Sequence, residues 1–293
     1  MIGILQNKHL DSRKMQKIIN DHYSNVILTI KRSRTHKMHD VNNDILNYTS
    51  GRLTFEIIVK ADYNKIKSII NKYAPFTNSV SKYKTLFERY RINYGNKLIE
   101  SLELTVCPYC NRNFINSSPD LDHFFPISKH PLFSLSLYNL IPACTVCNRK
   151  KSNKAISVSP YDITKKTDSI IKFTLDPKNM TYFSLIIKIL DKQMQSNADT
   201  FKLQNSYEIH SDIIKELYFK TLKYPKNYIK SLEKLAKFPI SINMTPEEFY
   251  YGNYFKESDY YKRPLSKMTK DIIDFFKKNI NITSLSIPNV KSK

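Results

Sequence analysis

The chain has 293 residues and a formal net charge of +21, because 47 Lys and Arg residues outnumber 26 Asp and Glu residues. That length allows one large domain or two to three small ones with a sizeable core. The positive charge favours a polyanionic partner such as nucleic acid, although the abundance of Lys, Asn and Ile with only 4 Gly is also typical of an AT-biased genome.

Membrane and secretion signals are missing from the sequence pattern. The longest apolar run, Tyr182 to Leu190, is interrupted by Lys188 and is too short to span a bilayer. The apolar run at the start of the chain ends at Gln6. We therefore expect a soluble, cytoplasmic protein with no membrane partner.

Residues 1–105 show the spacing of amphipathic helices. The sequence predicts one helix capped by Ser12, a second capped by Asp62, and a third from about Ser81 with a weak point at Gly95. Apolar residues that recur at helical spacing are predicted to face inward: Met15, Ile18, Ile19, Ile66, Ile69, Ile70, Tyr73, Leu86, Phe87, Tyr90, Leu98, Ile99 and Leu102.

All four cysteines of the chain form two Cys-x-x-Cys pairs. Each pair directs two thiolates to one point, and two pairs complete the tetrahedral sulfur set that suits zinc. Two disulfides or four free thiols are the alternatives, and stable disulfides are rare without secretion. Four protein ligands leave no open coordination position, so we expect a structural Zn²⁺ held by Cys107, Cys110, Cys144 and Cys147.

Residues with catalytic chemistry lie next to these cysteines. Asp122 and His123 lie between the two pairs, and Asn148 directly follows the last cysteine. A histidine can take a proton from water, and carboxylate and amide oxygens are ligands for Mg²⁺ or Mn²⁺. Phosphodiester hydrolysis requires both parts. Neighbours on a regular strand point to opposite faces, so Asp122 and His123 can share a site only if the strand twists or ends there.

This ordered set resembles the HNH, or ββα-metal, nuclease family in its four-cysteine zinc form. The resemblance rests on DH at 122–123, NL at 139–140 and CNRKK at 147–151. A lone Asp-His pair is more often structural, and Asn139 alone could form a turn. The order of the motifs between the cysteine pairs is what makes the resemblance specific.

The resemblance implies a role for each motif residue. His123 would be the general base, Asp122 a magnesium ligand, and Asn139 the loop residue that orients the base. Asn148, at a position where family members carry His or Asn, would be the second magnesium ligand. Basic residues on the same helix would lie along a phosphate backbone: Arg149, Lys150, Lys151 and Lys154.

Residues 106–158 are predicted to form this nuclease module. The sequence predicts a strand from Asn113 to Ile115 and a second strand that ends at His123. A short strand from Leu140 to Ala143 then precedes a helix that starts near Thr145.

Residues 159–293 are predicted to be mostly helical with a few strands. The predicted elements are strands at 170–175 and 182–190, a long helix at about 199–224, a helix after Pro225, a short helix between a capping box at Thr245 and a closing Gly252, and a helix at 266–278. The fold class is therefore α+β and mainly helical, with a central ββα-metal module between two helical regions.

Longer segments resemble the PtuB type of HNH protein: CPYCNRNF, LDHFFPISKHPLFSLSLYNLIPAC and, less closely, YGNYF and KRPLSKMTKDI. That resemblance implies an effector of Septu or retron anti-phage systems that works with a PtuA-like ATPase. We find no phosphate-binding glycine loop in the chain, so ATP chemistry would belong to the partner. Aromatic residues of the C-terminal region are predicted to dock that ATPase: Tyr250, Tyr251, Tyr254, Phe255, Tyr260 and Tyr261.

The predicted function is a metal-dependent HNH endonuclease that acts on DNA. One alternative is an RNA nuclease, for example on tRNA, because nothing in the sequence separates the two nucleic acids. The other is an inactive, zinc-stapled protein that binds nucleic acid or serves as a scaffold.

Overall fold

The computed structural model describes residues 3–4, 10–73, 75–115, 119–176, 183–223, 226–235 and 244–279. Helices dominate, and two small antiparallel sheets of two strands each accompany them. The predicted α+β, mainly helical class is confirmed. No helix in these ranges is long and apolar enough to cross a membrane.

The N-terminal region contains six α-helices, of which the sequence predicted the first, fourth, fifth and sixth. They are α1 (Ser12–Lys31), α2 (Met38–Thr49), α3 (Phe55–Lys60), α4 (Tyr63–Lys72), α5 (Val80–Tyr90) and α6 (Asn96–Ser101). Asp62 caps α4 as predicted. The cap of α1 is Asp11 and not Ser12, since the Asp11 carboxylate accepts a 2.7 Å hydrogen bond from the Lys14 amide.

A π-helical turn at Arg91–Gly95 joins α5 to α6. It lies at the predicted weak point. A Cβ atom at Gly95 would be 3.4 Å from the Leu121 side chain. The absence of a side chain at Gly95 therefore lets this helix approach the strand that precedes the Asp-His pair.

The central module has the predicted strand–strand–helix order. Strand β1 (Asp120–His123) pairs antiparallel with β2 (Leu140–Ala143), with His123 opposite Leu140, and α7 (Thr145–Lys151) follows at once. Two short 3₁₀ turns lie in the loop between the strands. The predicted strand at 113–115 is reduced to a single bridge between Val106 and Phe114 in the described part of the chain.

The C-terminal region surrounds a second hairpin. Its elements are α8 (Thr167–Ile170), β3 (Ile171–Leu175), β4 (Leu185–Ile189), α9 (Met194–Phe201), α10 (Leu203–Glu208), α11 (Ser211–Leu222), α12 (Lys226–Leu235), α13 (Pro246–Tyr251) and α14 (Ser266–Asn279). Helix α14 packs on β3 and α11.

One long helix was predicted at 199–224, and that prediction is wrong. The chain instead forms α9, α10 and α11, because Lys202 adopts a left-handed conformation with φ of 49° and His210 leaves the helical region. The capping box of Thr245 with Glu248 and the left-handed Gly252 at the end of α13 are confirmed. Pro225 and the residues after Asn279 lie outside the described residues.

The C-terminal region contacts the first cysteine turn directly. The Asn111 side-chain amide donates to the Tyr260 carbonyl at 2.9 Å, and the Asn111 backbone carbonyl accepts from the Leu265 backbone amide at 2.6 Å. The Tyr207 hydroxyl donates to the Cys110 carbonyl at 2.5 Å. The boundaries at 106 and 158 therefore separate sequence segments that are in contact in space.

Candidate active site

The four cysteine sulfurs come together at one buried point. Each ligand atom lies within 4.8 Å of the other three. A tetrahedral ZnS₄ group with bonds of about 2.3 Å requires sulfur–sulfur distances of about 3.8 Å. Cys107, Cys110, Cys144 and Cys147 thus fit zinc in chemistry, number and separation.

Local backbone structure explains why the sulfurs converge. The first turn is closed by hydrogen bonds from the Asn111 amide to the Cys107 carbonyl at 2.8 Å and from the Cys107 amide to the Asn113 carbonyl at 2.9 Å. Cys144 caps α7, and Cys147 lies in its first turn. A metal ion here would join the first turn to the helix that carries Asn148.

Hydrogen bonds to sulfur favour the thiolate form of Cys110 and Cys144, whereas burial raises the pKa of the Cys107 thiol. The Asn113 side-chain amide donates to Cys144 Sγ at 3.2 Å, and the Arg112 backbone amide donates to Cys110 Sγ at 3.4 Å. Hydrogen bonds from the Cys107 thiol first, then from the other thiols and Asn113, hold the pKa of Cys144 below its usual range. Such donors are the outer-shell partners that ligating sulfurs usually have.

Asp122 lies near the end of β1 and is only 5% exposed. Its Oδ2 accepts a 2.6 Å hydrogen bond from the Tyr109 hydroxyl, and the Lys151 ammonium lies 3.1 Å from the same oxygen and 3.3 Å from Oδ1. Burial raises the pKa of Asp122, while the Lys151 charge and the Tyr109 hydroxyl oppose that shift. The carboxylate is thus held by two protein donors.

Lys151 was predicted to contribute to a basic surface, and the structure contradicts that placement. Its side chain is completely buried, and its ammonium also donates to the His123 carbonyl at 2.5 Å. Burial lowers the pKa of Lys151, and the adjacent Asp122 carboxylate opposes that shift. The reason for the placement is geometric: α7 packs on β1, and its last residue reaches back to the end of that strand.

The rest of the predicted basic surface is smaller than expected. Arg149 and Lys154 are exposed, as predicted. The Lys150 ammonium is instead engaged by the Phe201 carbonyl at 2.8 Å and the Ser206 hydroxyl at 3.0 Å. Two of the four predicted cations therefore face solvent.

His123 is buried against the loop that follows it. Its Nε2 lies 3.0 Å from the Ser134 carbonyl, and its ring packs edge-on against Phe87. Because a carbonyl only accepts, Nε2 carries the proton. Burial lowers the pKa of His123 to about 4, so the ring is neutral at neutral pH. Among the described residues Nδ1 makes no hydrogen bond, which leaves its lone pair available as a base.

The Asp122 and His123 side chains lie in different surroundings. Asp122 is held by Tyr109 and Lys151, whereas His123 contacts Ser134 and Phe87. This follows from strand geometry, which points neighbours to opposite faces. Strand β1 ends at His123, as predicted, yet the two side chains do not share one set of contacts. Lys151 links the two residues, since its ammonium contacts the Asp122 carboxylate and the His123 backbone.

Asn139 organises the loop and, among the described residues, makes no hydrogen bond to the His123 ring. Its Oδ1 accepts from the Phe125 amide at 2.7 Å, and its Nδ2 donates to the Phe125 carbonyl at 3.2 Å and the Phe133 carbonyl at 2.9 Å. Phe133 precedes Ser134, the residue whose carbonyl holds His123. Asn139 therefore holds the loop that carries Ser134.

Asn148 lies in α7, one turn before Lys151 on the same helix face, and is partly exposed. The oxygens of Asp122 and Asn148 are of the type that magnesium prefers. The arrangement at Asp122 does not fit a divalent ion, however, because the Lys151 ammonium already lies against both carboxylate oxygens. An ion at Asp122 would lie beside a second positive charge in a nearly fully buried site.

Tyr109, Ser134 and the contact of Phe87 with His123 are not among the site residues predicted from the sequence. Tyr109 stands between the first two cysteines, so its position in the turn was a signal that it lies near the metal cluster. Phe87 was predicted only as an inward residue of a helix. Ser134 contributes a backbone carbonyl, for which side-chain patterns carry no signal.

Comparison with known proteins agrees with the site. Residues 107–154 match the family model described as HNH endonuclease. A segment of 68 residues is 35% identical to protein ea31 of Escherichia phage lambda and covers 23% of this chain and 22% of ea31. No solved structure matches. The match to the HNH model supports a metal-dependent nuclease module in general, and this chain spans about a fifth of the length of ea31.

Proposed function

We propose that this protein is an HNH endonuclease that hydrolyses phosphodiester bonds of DNA, with His123 as its general base. The observation that carries the proposal is the hydrogen-bond arrangement of the His123 ring. A neutral imidazole is held through Nε2 by the Ser134 carbonyl and keeps Nδ1 as an acceptor, within the segment that matches the HNH model.

The chemistry of His123 follows from its contacts. Nδ1 accepts the proton of a water molecule as that water attacks phosphorus. The bond from phosphorus to the leaving sugar oxygen breaks, and that oxygen takes up a proton from solvent. The Ser134 carbonyl keeps the ring oriented and stabilises the positive charge that the ring acquires. Phe87 covers the ring and limits competing water. Mg²⁺ or Mn²⁺ is the proposed catalytic ion and would supply charge stabilisation at the phosphate.

DNA is the proposed substrate, and RNA is the competing outcome. The net charge of +21 suits either polyanion. Cleavage of plasmid, single-stranded DNA and tRNA should be compared with and without Mg²⁺ or Mn²⁺. Cleavage of tRNA alone would replace DNA by RNA in the proposal.

The test of the base is His123→Ala. We expect cleavage to fall about 10²–10⁴-fold while nucleic-acid binding persists. The matched control is His39→Ala, since His39 lies on α2 with a largely exposed side chain. Wild-type cleavage by His123→Ala would show that the histidine is not the base. A wild-type chain that binds nucleic acid and never cuts it would support the inactive scaffold.

We also propose a role as an anti-phage effector that works with a PtuA-like ATPase. The support is the PtuB resemblance of the central and C-terminal segments. The predicted docking surface must be revised, because three of its aromatic residues, Tyr251, Tyr260 and Tyr261, are buried within the chain. Tyr260 donates to Asp168 at 2.9 Å, which explains its burial as part of the C-terminal core.

Phe249 is the better first probe of that contact, since it is 50% exposed on α13. Co-purification with a neighbouring ATPase should be compared for the wild type, Phe249→Ser and the control Ile209→Ser. Ile209 is 69% exposed but lies between α10 and α11. A complex that only Phe249→Ser weakens supports docking at α13, and equal yields for all three chains place the contact elsewhere.

A further inference from the structure

We infer that Lys151 is an internal counter-cation that competes with the catalytic divalent ion for Asp122. The inference rests on the proposed nuclease function and concerns the regulation of the same site. In the described arrangement the ammonium contacts both oxygens of Asp122, the carboxylate that the HNH resemblance assigns to the ion. Metal binding must therefore displace Lys151.

The contacts of the ammonium resemble those of a hard metal ion. Lys151 Nζ lies 3.1 and 3.3 Å from the Asp122 oxygens and 2.5 Å from the His123 carbonyl. Carboxylate and backbone carbonyl oxygens are the ligand types that Mg²⁺ and Mn²⁺ take. The Tyr109 hydroxyl occupies another acceptor position of the same carboxylate. Few lone pairs of Asp122 remain for a second cation.

Burial makes the competition strong. Lys151 is completely buried and Asp122 nearly so. Water therefore screens little of the repulsion between an ammonium and a dication at this distance. A buried carboxylate also needs one positive partner, and either cation can serve. The two occupants are thus alternatives.

The end of α7 provides a route for the exchange. Lys151 is the last helical residue, and Ser152 follows with a positive φ of 47°. Residues 152–155 are exposed. A phosphate group that approaches α7 can accept the displaced ammonium as a charge-assisted partner. Nucleic acid and metal would then favour each other's binding, and the free protein would bind metal weakly.

The test measures Mn²⁺ binding to the zinc-loaded full chain by electron paramagnetic resonance, without nucleic acid. Lys151→Met keeps the side-chain length and removes the charge. We expect it to bind Mn²⁺ at least about tenfold more tightly than the wild type, because one adjacent like charge is gone. The control Lys154→Met removes an exposed charge of the same segment and should stay within about twofold, since that charge is screened. Unchanged or weaker binding by Lys151→Met would overturn the inference.

A second measurement uses the wild type and remains decisive if Lys151→Met does not fold. Lysines are methylated reductively and the labelled positions are read by mass spectrometry. Lys151 should be protected in the free protein and become labelled when Mn²⁺ saturates the site, whereas exposed Lys154 should label equally in both states. Continued protection of Lys151 at saturating Mn²⁺ would exclude displacement. Neither readout involves cleavage, so failure here is distinct from failure of the nuclease proposal.

Discussion

Phe87 packs its ring edge-on against His123, with the ring centroids 4.2 Å apart and the planes at 66°. Phe87 belongs to α5, and His123 ends β1. A residue of the N-terminal helices thus forms one wall around the proposed base. These helices belong to the site as well as to the scaffold.

Truncation of that wall should affect stability and catalysis together. Phe87→Ala removes a buried ring and should lower the free energy of unfolding by about 3–5 kcal/mol. It also admits water beside His123, so we expect slower cleavage. Urea unfolding and cleavage rates measure the two effects. Phe249→Ala, at a half-exposed ring, should leave both nearly unchanged. Equal behaviour of the two variants would show that the Phe87 contact has no special role.

His22 should make stability depend on pH. It is buried, and its two ring nitrogens bond the Tyr90 hydroxyl at 2.7 Å and the Leu135 carbonyl at 2.8 Å. Burial lowers its pKa from 6.5 to about 4. The neutral ring is therefore favoured in the folded state, and its contribution is complete above pH 6.5.

As pH falls from 6.5 to about 4, the unfolded chain takes up this proton first, so stability is lost. At roughly 1.4 kcal/mol per pKa unit the loss is about 3 kcal/mol. Unfolding of the wild type and of His22→Gln should be measured from pH 7 to pH 4. The wild type should show the steeper loss, because the variant lacks this group. Parallel pH profiles would contradict the assignment.

Asn139 should matter through the loop that it holds. Asn139→Ala removes three side-chain hydrogen bonds and leaves the Phe125 amide and the Phe133 carbonyl without them. We expect a loss of about 1–3 kcal/mol for an unsatisfied buried group. Cleavage should also slow, because the Ser134 carbonyl that orients His123 loses its support. The control is Asn153→Ala, because Asn153 is exposed. A destabilised chain that cleaves at the wild-type rate would limit Asn139 to a structural role.

The cysteine cluster should hold about one zinc ion per chain. Cys144→Ser removes one sulfur at the start of α7 and should lower zinc content and destabilise the module, because metal binding there is folding energy. Elemental analysis and limited proteolysis measure the two changes. Ser152→Ala, just after α7, is the matched control. A Cys144→Ser chain with full zinc content and wild-type protease resistance would exclude the proposed zinc site.

Short-range pattern was enough to predict the module. Each Cys-x-x-Cys turn, the strand that ends at His123 and the helix that begins near Thr145 is specified by residues a few positions apart in the sequence. The Asp62 cap, the Thr245 capping box and the Gly252 helix end were predictable for the same reason. Each depends on hydrogen bonds between residues three to five positions apart, which the order of residues determines directly.

Tertiary packing decided which charges and rings reach the site. The basic residues next to Lys151 in the sequence predict a surface position for it, yet the packing of α7 on β1 buries it against Asp122. Phe87 reaches His123, and Tyr260 enters the core, through contacts between distant segments. The long predicted helix at 199–224 breaks at Lys202 and at His210, although its apolar periodicity continues, and its pieces pack on different elements: α9 on α7, α10 on β4 and α11 on α14. Such outcomes depend on which surfaces meet after folding, and helical or strand periodicity in one segment contains no information about its partner.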